Sequence, residues 1–368
     1  MPSSTDKTSL DVAATPSGVA AVSAASSASA PTVGTAARPR GRARQPLEWY
    51  VDGVLAGDRV ALSRAITLVE STLPSDVELS ALLLNAILPS IGKTRRLGIT
   101  GVPGVGKSTF IDALGMHVAR ECGEQLAVLS VDPSSPISGG SILGDKTRMA
   151  QLSMEERAYI RPSPSGGHLG GVARRTRETI LLCEAAGFTN IFIETVGVGQ
   201  SETAVRSMSD FFLLLMLAGA GDELQGIKRG IIEMVDGMAI NKADGDNKPK
   251  AERARIEYAS ALHMFPPSGD GWTPQVVCCS ALQNTGIDEI WQMVLDHEVK
   301  LEALGKIEER RRKGALQWMN ELISMGLEDI FCKHPVVADR LPVLQQEVRD
   351  GRTTPLAASF ELLRDFRQ

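Results

Sequence analysis

The segment that most constrains the fold is GVPGVGKST, residues 101–109. It satisfies the pattern G-x-x-x-x-G-K-[ST] through Gly101, Gly106, Lys107 and Ser108. The apolar run RLGIT precedes it and the helical pattern FIDALGMHVARE follows it, which is the strand, loop and helix context that this motif requires. Glycines allow backbone N–H groups to converge on phosphate oxygens, where a Cβ would obstruct the approach. The segment therefore predicts a phosphate-binding loop.

Short apolar runs alternate with helix-length segments along the middle of the chain. The runs are RLGIT, LAVLSVD, AYIRP, NIFIETV, DFFLLLML, GMAINK and QVVCCSAL. This alternation predicts an α/β fold with a mainly parallel sheet and helices on both faces, and ligands in such sheets bind at the carboxyl ends of the strands. The longest run, FFLLLMLAGA, is about half the length of a membrane-spanning helix. It predicts a strand buried on both faces and no membrane partner.

Composition excludes two classes of partner and site. The formal net charge is −5, so the chain lacks the basic footprint that nucleic-acid binding requires. Its five cysteines are scattered and have no C-x-x-C spacing, which indicates neither a disulfide framework nor a zinc site. A reducing compartment fits this cysteine usage.

The segment NKAD predicts which base the nucleotide carries. Asn241, Lys242 and Asp244 follow the apolar run GMAI. The carboxylate of Asp244 can accept hydrogen bonds from guanine N1–H and from the exocyclic amine, whereas adenine has an acceptor at N1 and no 2-amino group. Each such bond to a charged group is worth about 1.5–3 kcal/mol, so losing two disfavours ATP by roughly a hundredfold or more. The pattern predicts selectivity for GTP.

A third element, CCSALQNTG, follows the last apolar run and suits a backbone contact to guanine O6. The phosphate loop, the base-recognition segment and this element occur in the order that a GTPase has them. The predicted nucleotide-binding residues are Gly101, Val102, Pro103, Gly104, Val105, Gly106, Lys107, Ser108, Thr109, Asn241, Lys242, Asp244, Ser280, Ala281 and Leu282.

Four oxygen-bearing side chains are candidates for the Mg²⁺ that accompanies GTP or GDP. Ser108 is placed to ligate the metal, and Asp132 and Glu194 stand at the ends of the runs LAVLSVD and NIFIETV. The alternative for Glu194 is a salt-bridged carboxylate at a strand end. Asp145, in SILGDKTRM, is the fourth candidate, and an ordinary loop aspartate is nearly as good an interpretation.

Three residues are candidates for catalysis. Lys107 supplies a positive charge to the β- and γ-phosphates. Gly197, in ETVG, is free to donate its N–H to the γ-phosphate, so loss of that phosphate would release the segment VGQSE. Gln200 could orient the attacking water.

Taken together, these motifs resemble the MeaB/ArgK family of P-loop GTPases, relatives of the human methylmalonic aciduria type A protein. The resemblance covers about residues 96–285, and the flanking helical segments fit the family's layout. It is carried by GVPGVGKST, SVDPSSPISGGSILGDKTRM, RPSPSGGHLGGVARRTRE, IFIETVGVGQSE, AGAGDELQGIKRGIIEMVD and NKAD.

The resemblance implies a GTP-hydrolysing chaperone for an adenosylcobalamin-dependent acyl-CoA mutase, usually methylmalonyl-CoA mutase. Such a chaperone assists cofactor loading and protects the mutase. The resemblance further implies a metal shell of Ser108, Asp132, Asp145 and Glu194, and a partner-responsive switch loop that includes Lys228. It also implies a homodimer held by a C-terminal helical arm.

Other functions share parts of this pattern. A GTPase that delivers nickel or cobalt has much of the same fold, but the five histidines here are dispersed. A small-molecule kinase of the transport-system type would need an acceptor pocket, and no motif for one is visible. A nucleotide-binding module without activity would need a defective phosphate loop or metal ligands, and none is apparent.

The predicted organisation has four parts. These are a disordered leader (1–45), an N-terminal helical segment (46–92), the GTPase domain (93–286) and a C-terminal helical dimerisation arm (287–368). The leader is rich in Ala, Ser, Thr, Pro and Gly and has almost nothing to bury. Two acidic residues and the absence of arginine before Arg38 favour a cytoplasmic protein over one imported into the mitochondrial matrix by a transit peptide.

Overall fold

The structure is a computed structural model, and it describes most of the chain beyond residue 43. The described residues are 44–92, 94–131, 148–162, 169–195, 201–219, 229–265 and 269–367, with the backbone alone at 169–173 and 229. Residues 45–368 form one compact unit, and every helix and strand named below belongs to it.

A parallel sheet of seven strands forms the centre of this unit, with the strand order β3-β2-β4-β1-β5-β6-β7. All six pairings between neighbouring strands are parallel. Each of the seven apolar runs contributes one strand, which confirms the predicted fold class. The strands are β1 (Arg95–Gly101), β2 (Leu126–Val131), β3 (Ala158–Arg161), β4 (Asn190–Thr195), β5 (Phe211–Leu217), β6 (Gly237–Asn241) and β7 (Gln275–Cys278).

The central strands are apolar on both faces because helices cover both sides of the sheet. Every residue of β2 and β4 is buried, as are the first six residues of β5. The run FFLLLML is therefore the buried strand that its composition predicts. The chain leaves β1 toward β2 and β3 on one side, returns to β4, and then continues to β5 on the other side. This reversal of strand order places a crevice at the carboxyl end of β1.

Helices precede the sheet and are interleaved with its strands. Asp58 caps α2, because its carboxylate accepts hydrogen bonds from the N–H groups of Val60 (2.7 Å) and Ala61 (2.8 Å). The first three helices share the main core with the sheet. The helices are α1 (Leu47–Leu55), α2 (Arg59–Val69), α3 (Pro74–Ile87), α4 (Lys107–Met116), α5 (Leu169–Ala185), α6 (Ser201–Met208), α7 (Arg229–Ile232) and α8 (Lys248–Leu262).

Four helices follow the sheet, as the predicted C-terminal helical segment requires. They are α9 (Ile287–Ala303), α10 (Lys306–Lys333), α11 (Pro335–Arg349) and α12 (Pro355–Phe366). The last two pack on each other around a small core of their own, formed by Val337, Leu344, Ala358 and Leu362. Within the described part of the chain, no helix combines the length and the apolar character that crossing a bilayer requires.

Candidate nucleotide site

The loop between β1 and α4 has a backbone that only glycine adopts without strain. Gly104 and Gly106 have φ angles of 75° and 89°, in the left-handed region. A Cβ on Gly101 would lie 2.6 Å from the carbonyl oxygen of Leu215, so the neighbouring strand also excludes a larger residue. Lys107 is the first residue of α4, and the loop therefore opens onto a helix N-terminus. This is the geometry that phosphate binding needs.

The side chain of Lys107 extends back over the loop that precedes α4. Its ammonium group donates a hydrogen bond to the carbonyl oxygen of Gly101 at 2.8 Å. Burial lowers the pKa of Lys107, while the negative charges of Glu194 and then Glu202 act against that shift. The ammonium group is thus held at the loop with two carboxylates near it.

Glu194 lies at the carboxyl edge of the sheet, between two neighbouring strands. It is the second-last residue of β4 and pairs in register with Ile99 of β1 and Ser130 of β2. Its side chain is 4% exposed, so a buried carboxylate stands beside the phosphate loop. Ser108 lies in the first turn of α4 and is half-buried. A hydroxyl and a carboxylate are hard oxygen donors of the kind that Mg²⁺ takes, and these two residues fit that metal.

Asn241 joins the phosphate loop to the segment after β7. Its side-chain amide donates to the carbonyl oxygen of Val105 at 2.8 Å. Its side-chain oxygen accepts from the backbone N–H of Ala281 at 3.1 Å. The residue is 2% exposed. Asn241 therefore holds the phosphate loop and the segment after β7 together, and both polar atoms of its side chain are occupied by these bonds.

The other two polar residues of NKAD also hold loops in place. Lys242 has a φ of 60°, and its ammonium group donates to the carbonyl oxygen of Gly104 at 2.8 Å. One carboxylate oxygen of Asp244 accepts from the hydroxyl of Ser280. That hydroxyl in turn accepts from the N–H of Gln283 at 3.2 Å. The half-buried carboxylate of Asp244 is thereby oriented from the side of β7.

The structure brings the phosphate loop, Glu194, the NKAD segment and Ser280–Ala281 to one edge of the sheet. Leu282 follows them with its side chain 80% exposed. Five predicted residues lie outside the described residues: Asp132, Asp145, Gly197, Gln200 and Lys228. Among the residues that are described, no group of three or more His, Cys, Asp or Glu side chains could hold a metal ion.

Sequence reasoning missed Glu202 as a residue of this site. It lies in the first turn of α6, is 2% exposed, and its charge acts on Lys107. The motif VGQSE included it, but an acidic residue at a helix start is also a common helix-terminus feature. Its burial and its effect on Lys107 distinguish a residue of the site from an ordinary acidic residue at a helix start.

A family profile and curated relatives match this chain. The profile described as "Methylmalonyl Co-A mutase-associated GTPase MeaB" matches residues 62–335. The GTPase ArgK of Escherichia coli (strain K12) is 53% identical over 265 residues, which cover 72% of this chain and 80% of that protein. The methylmalonic aciduria type A homolog, mitochondrial, of Mus musculus is 45% identical over 325 residues, which cover 86% of this chain and 78% of that protein.

A solved structure agrees with the fold as well as with the sequence. The crystal structure of a protein named LAO/AO transport system kinase superposes with a TM-score of 0.70 at 38% identity. The match covers 88% of this chain and 98% of that one. The shared fold therefore extends over most of both chains.

Proposed function

The chain belongs to the MeaB family of P-loop GTPases, and from that premise we propose that it serves as a chaperone of an adenosylcobalamin-dependent acyl-CoA mutase. Membership makes it an enzyme that binds guanine nucleotide and hydrolyses GTP to GDP and phosphate. The observation that carries the mutase proposal is the family profile over residues 62–335, whose description names methylmalonyl-CoA mutase. We take that mutase as the first partner to test.

The phosphate loop would bind the β- and γ-phosphates through its backbone N–H groups and Lys107. In the structure the Lys107 ammonium group donates to Gly101, so it would exchange that carbonyl oxygen for phosphate oxygens. Its positive charge would be worth most there because the site is partly buried and solvent screening is weak. Asn241 and Lys242 would act by holding the loop in shape, through Val105 and Gly104.

Mg²⁺ would be held by Ser108 and Glu194, with Asp132 and Asp145 as further candidates. The metal, when bound, neutralises charge on the phosphate oxygens. Glu194 would also keep Lys107 in its charged form, since its negative charge opposes the effect of burial. Gly197 would contact the γ-phosphate and Gln200 would orient the attacking water, as sequence reasoning predicts.

Guanine would be bound between the NKAD segment and the segment after β7. Asp244 would accept from N1–H and the exocyclic amine, with its carboxylate oriented by Ser280. The backbone N–H of Ala281, which donates to Asn241 in the structure, would be shared between Asn241 and guanine O6, with Ser280 and Leu282 on either side of it. This assignment gives Asp244 the base selectivity and gives Asn241 a supporting role.

A second copy of the chain would pack against α10. This helix has 28 residues and none of them is buried. Five apolar side chains recur along it at intervals of three and four residues, each at least half exposed: Leu316, Met319, Ile323, Leu327 and Ile330. Such spacing puts them on one helix face, which is the pattern of a helix that packs on a partner. We propose that this stripe holds the homodimer.

The test of the chaperone function is phosphate release from GTP and from ATP, with and without purified methylmalonyl-CoA mutase. We expect slow release from GTP, much slower release from ATP, and acceleration of GTP turnover when the mutase is added. A GTP rate that the mutase leaves unchanged, at mutase concentrations where pull-down also detects no complex, would contradict the mutase proposal while leaving the GTPase assignment intact.

The solved relative is named as a transport system kinase, which favours a second candidate, a kinase with a small-molecule acceptor. The two functions differ in where the γ-phosphate goes. A GTPase releases one inorganic phosphate for each GDP, whereas a kinase transfers that phosphate to its acceptor. Measuring GDP and inorganic phosphate in the same reaction, with and without candidate acceptors, separates them.

We propose the cytoplasm as the compartment and residues 1–45 as a leader that the folded unit does not need. The mouse relative is named as mitochondrial, which makes import into the matrix the alternative. A fluorescent fusion of residues 1–45, expressed in cells with mitochondria, tests import directly. Deleting residues 1–45 should leave the thermal unfolding midpoint and GTP turnover unchanged.

A further inference from the structure

Asp236 is a buried carboxylate at the opposite edge of the sheet from the phosphate loop. It immediately precedes β6 and is 3% exposed. Arg206 donates to both of its oxygens, at 2.7 and 3.2 Å. The N–H of Phe212 donates to one oxygen at 2.9 Å, and Arg310 donates to the other at 3.4 Å. Two arginines from different helices thus share one buried carboxylate.

The charge balance shows why these arginines are needed. Burial alone would raise the pKa of Asp236, but Arg206, then His297 and Arg310, hold that pKa below its ordinary value. The His297 ring is itself buried between the rings of Phe211 and Trp272, and its Nε2 lies 3.7 Å from the carboxylate. Removing one arginine would leave a buried negative charge less compensated, which is costly in a low-dielectric environment.

The helix that carries Arg206 also reaches the nucleotide site. α6 has eight residues and spans roughly 12 Å at 1.5 Å per residue. Glu202 in its first turn is close enough to Lys107 to act on the pKa of that residue. Arg206 in its last turn binds Asp236. One short helix therefore carries the buried Glu202 at the end toward the nucleotide site and the arginine that binds Asp236 at the other end.

Close packing against β1 limits how α6 can move. A Cβ on Gly98 would lie 2.3 Å from the hydroxyl oxygen of Ser209 and 2.9 Å from a methyl carbon of Val205. The helix and the segment after it therefore touch the backbone of the strand that leads into the phosphate loop. A shift of α6 would be transmitted to that strand because packed interiors have little free space.

The other arginine ties the same carboxylate to the C-terminal helices. Arg310, in the first turns of α10, also donates to the carbonyl oxygen of Asp210 at 3.0 Å and to the carboxylate of Asp270. The next residue, Arg311, binds the Asp210 carboxylate at 2.8 and 2.6 Å and the carbonyl oxygen of Gly92 at 2.8 Å. The start of α10 is thereby fastened to the amino edge of the sheet.

We propose that Arg206 and Asp236 are positioning residues for GTP hydrolysis, and that Arg310 lets helix α10 influence the same reaction. They lie at the amino edge of the sheet, opposite the phosphate loop. They act by fixing α6, which packs against Gly98 of the strand that leads into the phosphate loop and carries the buried Glu202 in its first turn. This inference rests on the GTPase activity alone and not on the mutase, so it is tested on the full-length chain by itself.

The first experiment compares single-turnover and steady-state GTP hydrolysis in the wild-type chain and Arg206→Gln. We expect kcat to fall about tenfold, in the range that small misplacements of catalytic groups produce. KM for GTP and the Kd for GDP should stay within about twofold, because the NKAD segment and Ala281 are untouched. Arg206→Lys should restore part of the rate, since it keeps the charge and loses only the two-pronged contact.

A matched control separates positioning from simple loss of stability. Arg161→Gln breaks a comparable ion pair, between Arg161 of β3 and Glu70 after α2, with similarly buried partners. It should leave kcat within about twofold of wild type. All rates are measured at least 15 °C below the unfolding midpoint of each variant. If Arg206→Gln does not fold, Asp236→Asn provides a milder change.

The coupling to α10 is tested with a double-mutant cycle. Arg310→Gln should also lower kcat, and the double variant Arg206→Gln/Arg310→Gln should lose less than the product of the two single losses, because both act through Asp236. Wild-type kcat in folded Arg206→Gln and Asp236→Asn would overturn the proposal. So would an equal loss in Arg161→Gln. Fully multiplicative losses in the double variant would overturn the part assigned to Arg310.

Discussion

The α/β body and helix α10 use their apolar residues in opposite ways. In the body, β2 and β4 are buried along their whole length, and the side chains of the first three helices join the same core. In α10 no residue is buried, although leucine, isoleucine and methionine recur along one face. Burial of apolar surface is worth about 25 cal/mol per Å². The apolar side chains of the body are therefore stabilised by packing against one another within the same chain.

This difference indicates that the α/β body carries the nucleotide site and that the apolar stripe of α10 serves oligomerisation. The body places the described candidate residues for GTP binding at one edge of the sheet. The exposed stripe of α10 contributes hydrophobic stabilisation only when a partner covers it. Large exposed apolar faces of this kind mark interaction surfaces. Changes in the body should therefore alter nucleotide chemistry, and changes on the stripe should alter oligomeric state.

The largest expected effect is in the body, at Lys107. Lys107→Ala removes the charge that the phosphates would meet, and we expect kcat/KM for GTP to fall by at least about a hundredfold. Phosphate release and fluorescent-nucleotide binding measure the loss. The control is Lys250→Ala, an exposed lysine on α8. An unchanged GTPase rate in Lys107→Ala would contradict the phosphate-loop assignment.

The next effect is a change of base preference. Asp244→Asn replaces a carboxylate that accepts two hydrogen bonds with an amide, so affinity for GTP should fall by roughly a hundredfold. Xanthosine triphosphate should bind better, since it has an acceptor in place of the 2-amino group. The matched control is Asp246→Asn, two residues further on and exposed. Retained guanine preference would show that Asp244 does not contact the base.

The smallest effect on chemistry, and the largest on assembly, is expected on the exposed apolar stripe of α10. Ile323→Asp puts a charge in the middle of the apolar stripe and should convert a dimer into a monomer, with GTP turnover of the chain alone within about twofold of wild type. Light scattering coupled to gel filtration measures the mass. Ser324→Asp adds the same charge at the neighbouring exposed position and should remain dimeric. A wild-type chain that is monomeric at micromolar concentration would contradict the proposal that the stripe holds a homodimer.

How well each site residue could be predicted depended on how far its partners lie along the chain. The phosphate loop could be predicted because its glycines, lysine and serine lie within nine residues and the backbone itself makes the site. Asn241 is predicted from its motif as a nucleotide-binding residue, whereas its contacts with Val105 and Ala281 join positions 136 and 40 residues away. No local pattern indicates that such an amide is a clamp.

The sequence by itself determined the element types and the order of the strands along the chain, because apolar runs, helical spacing and glycine positions are local physical requirements. Tertiary structure alone decided which side chains meet. The ion pairs of Asp236 with Arg206 and Arg310 span 30 and 74 residues. Burial of Glu202 beside Lys107 likewise depends on how α6 packs on β1. These contacts follow from the packing of helices on a sheet, which a linear pattern of residues does not specify.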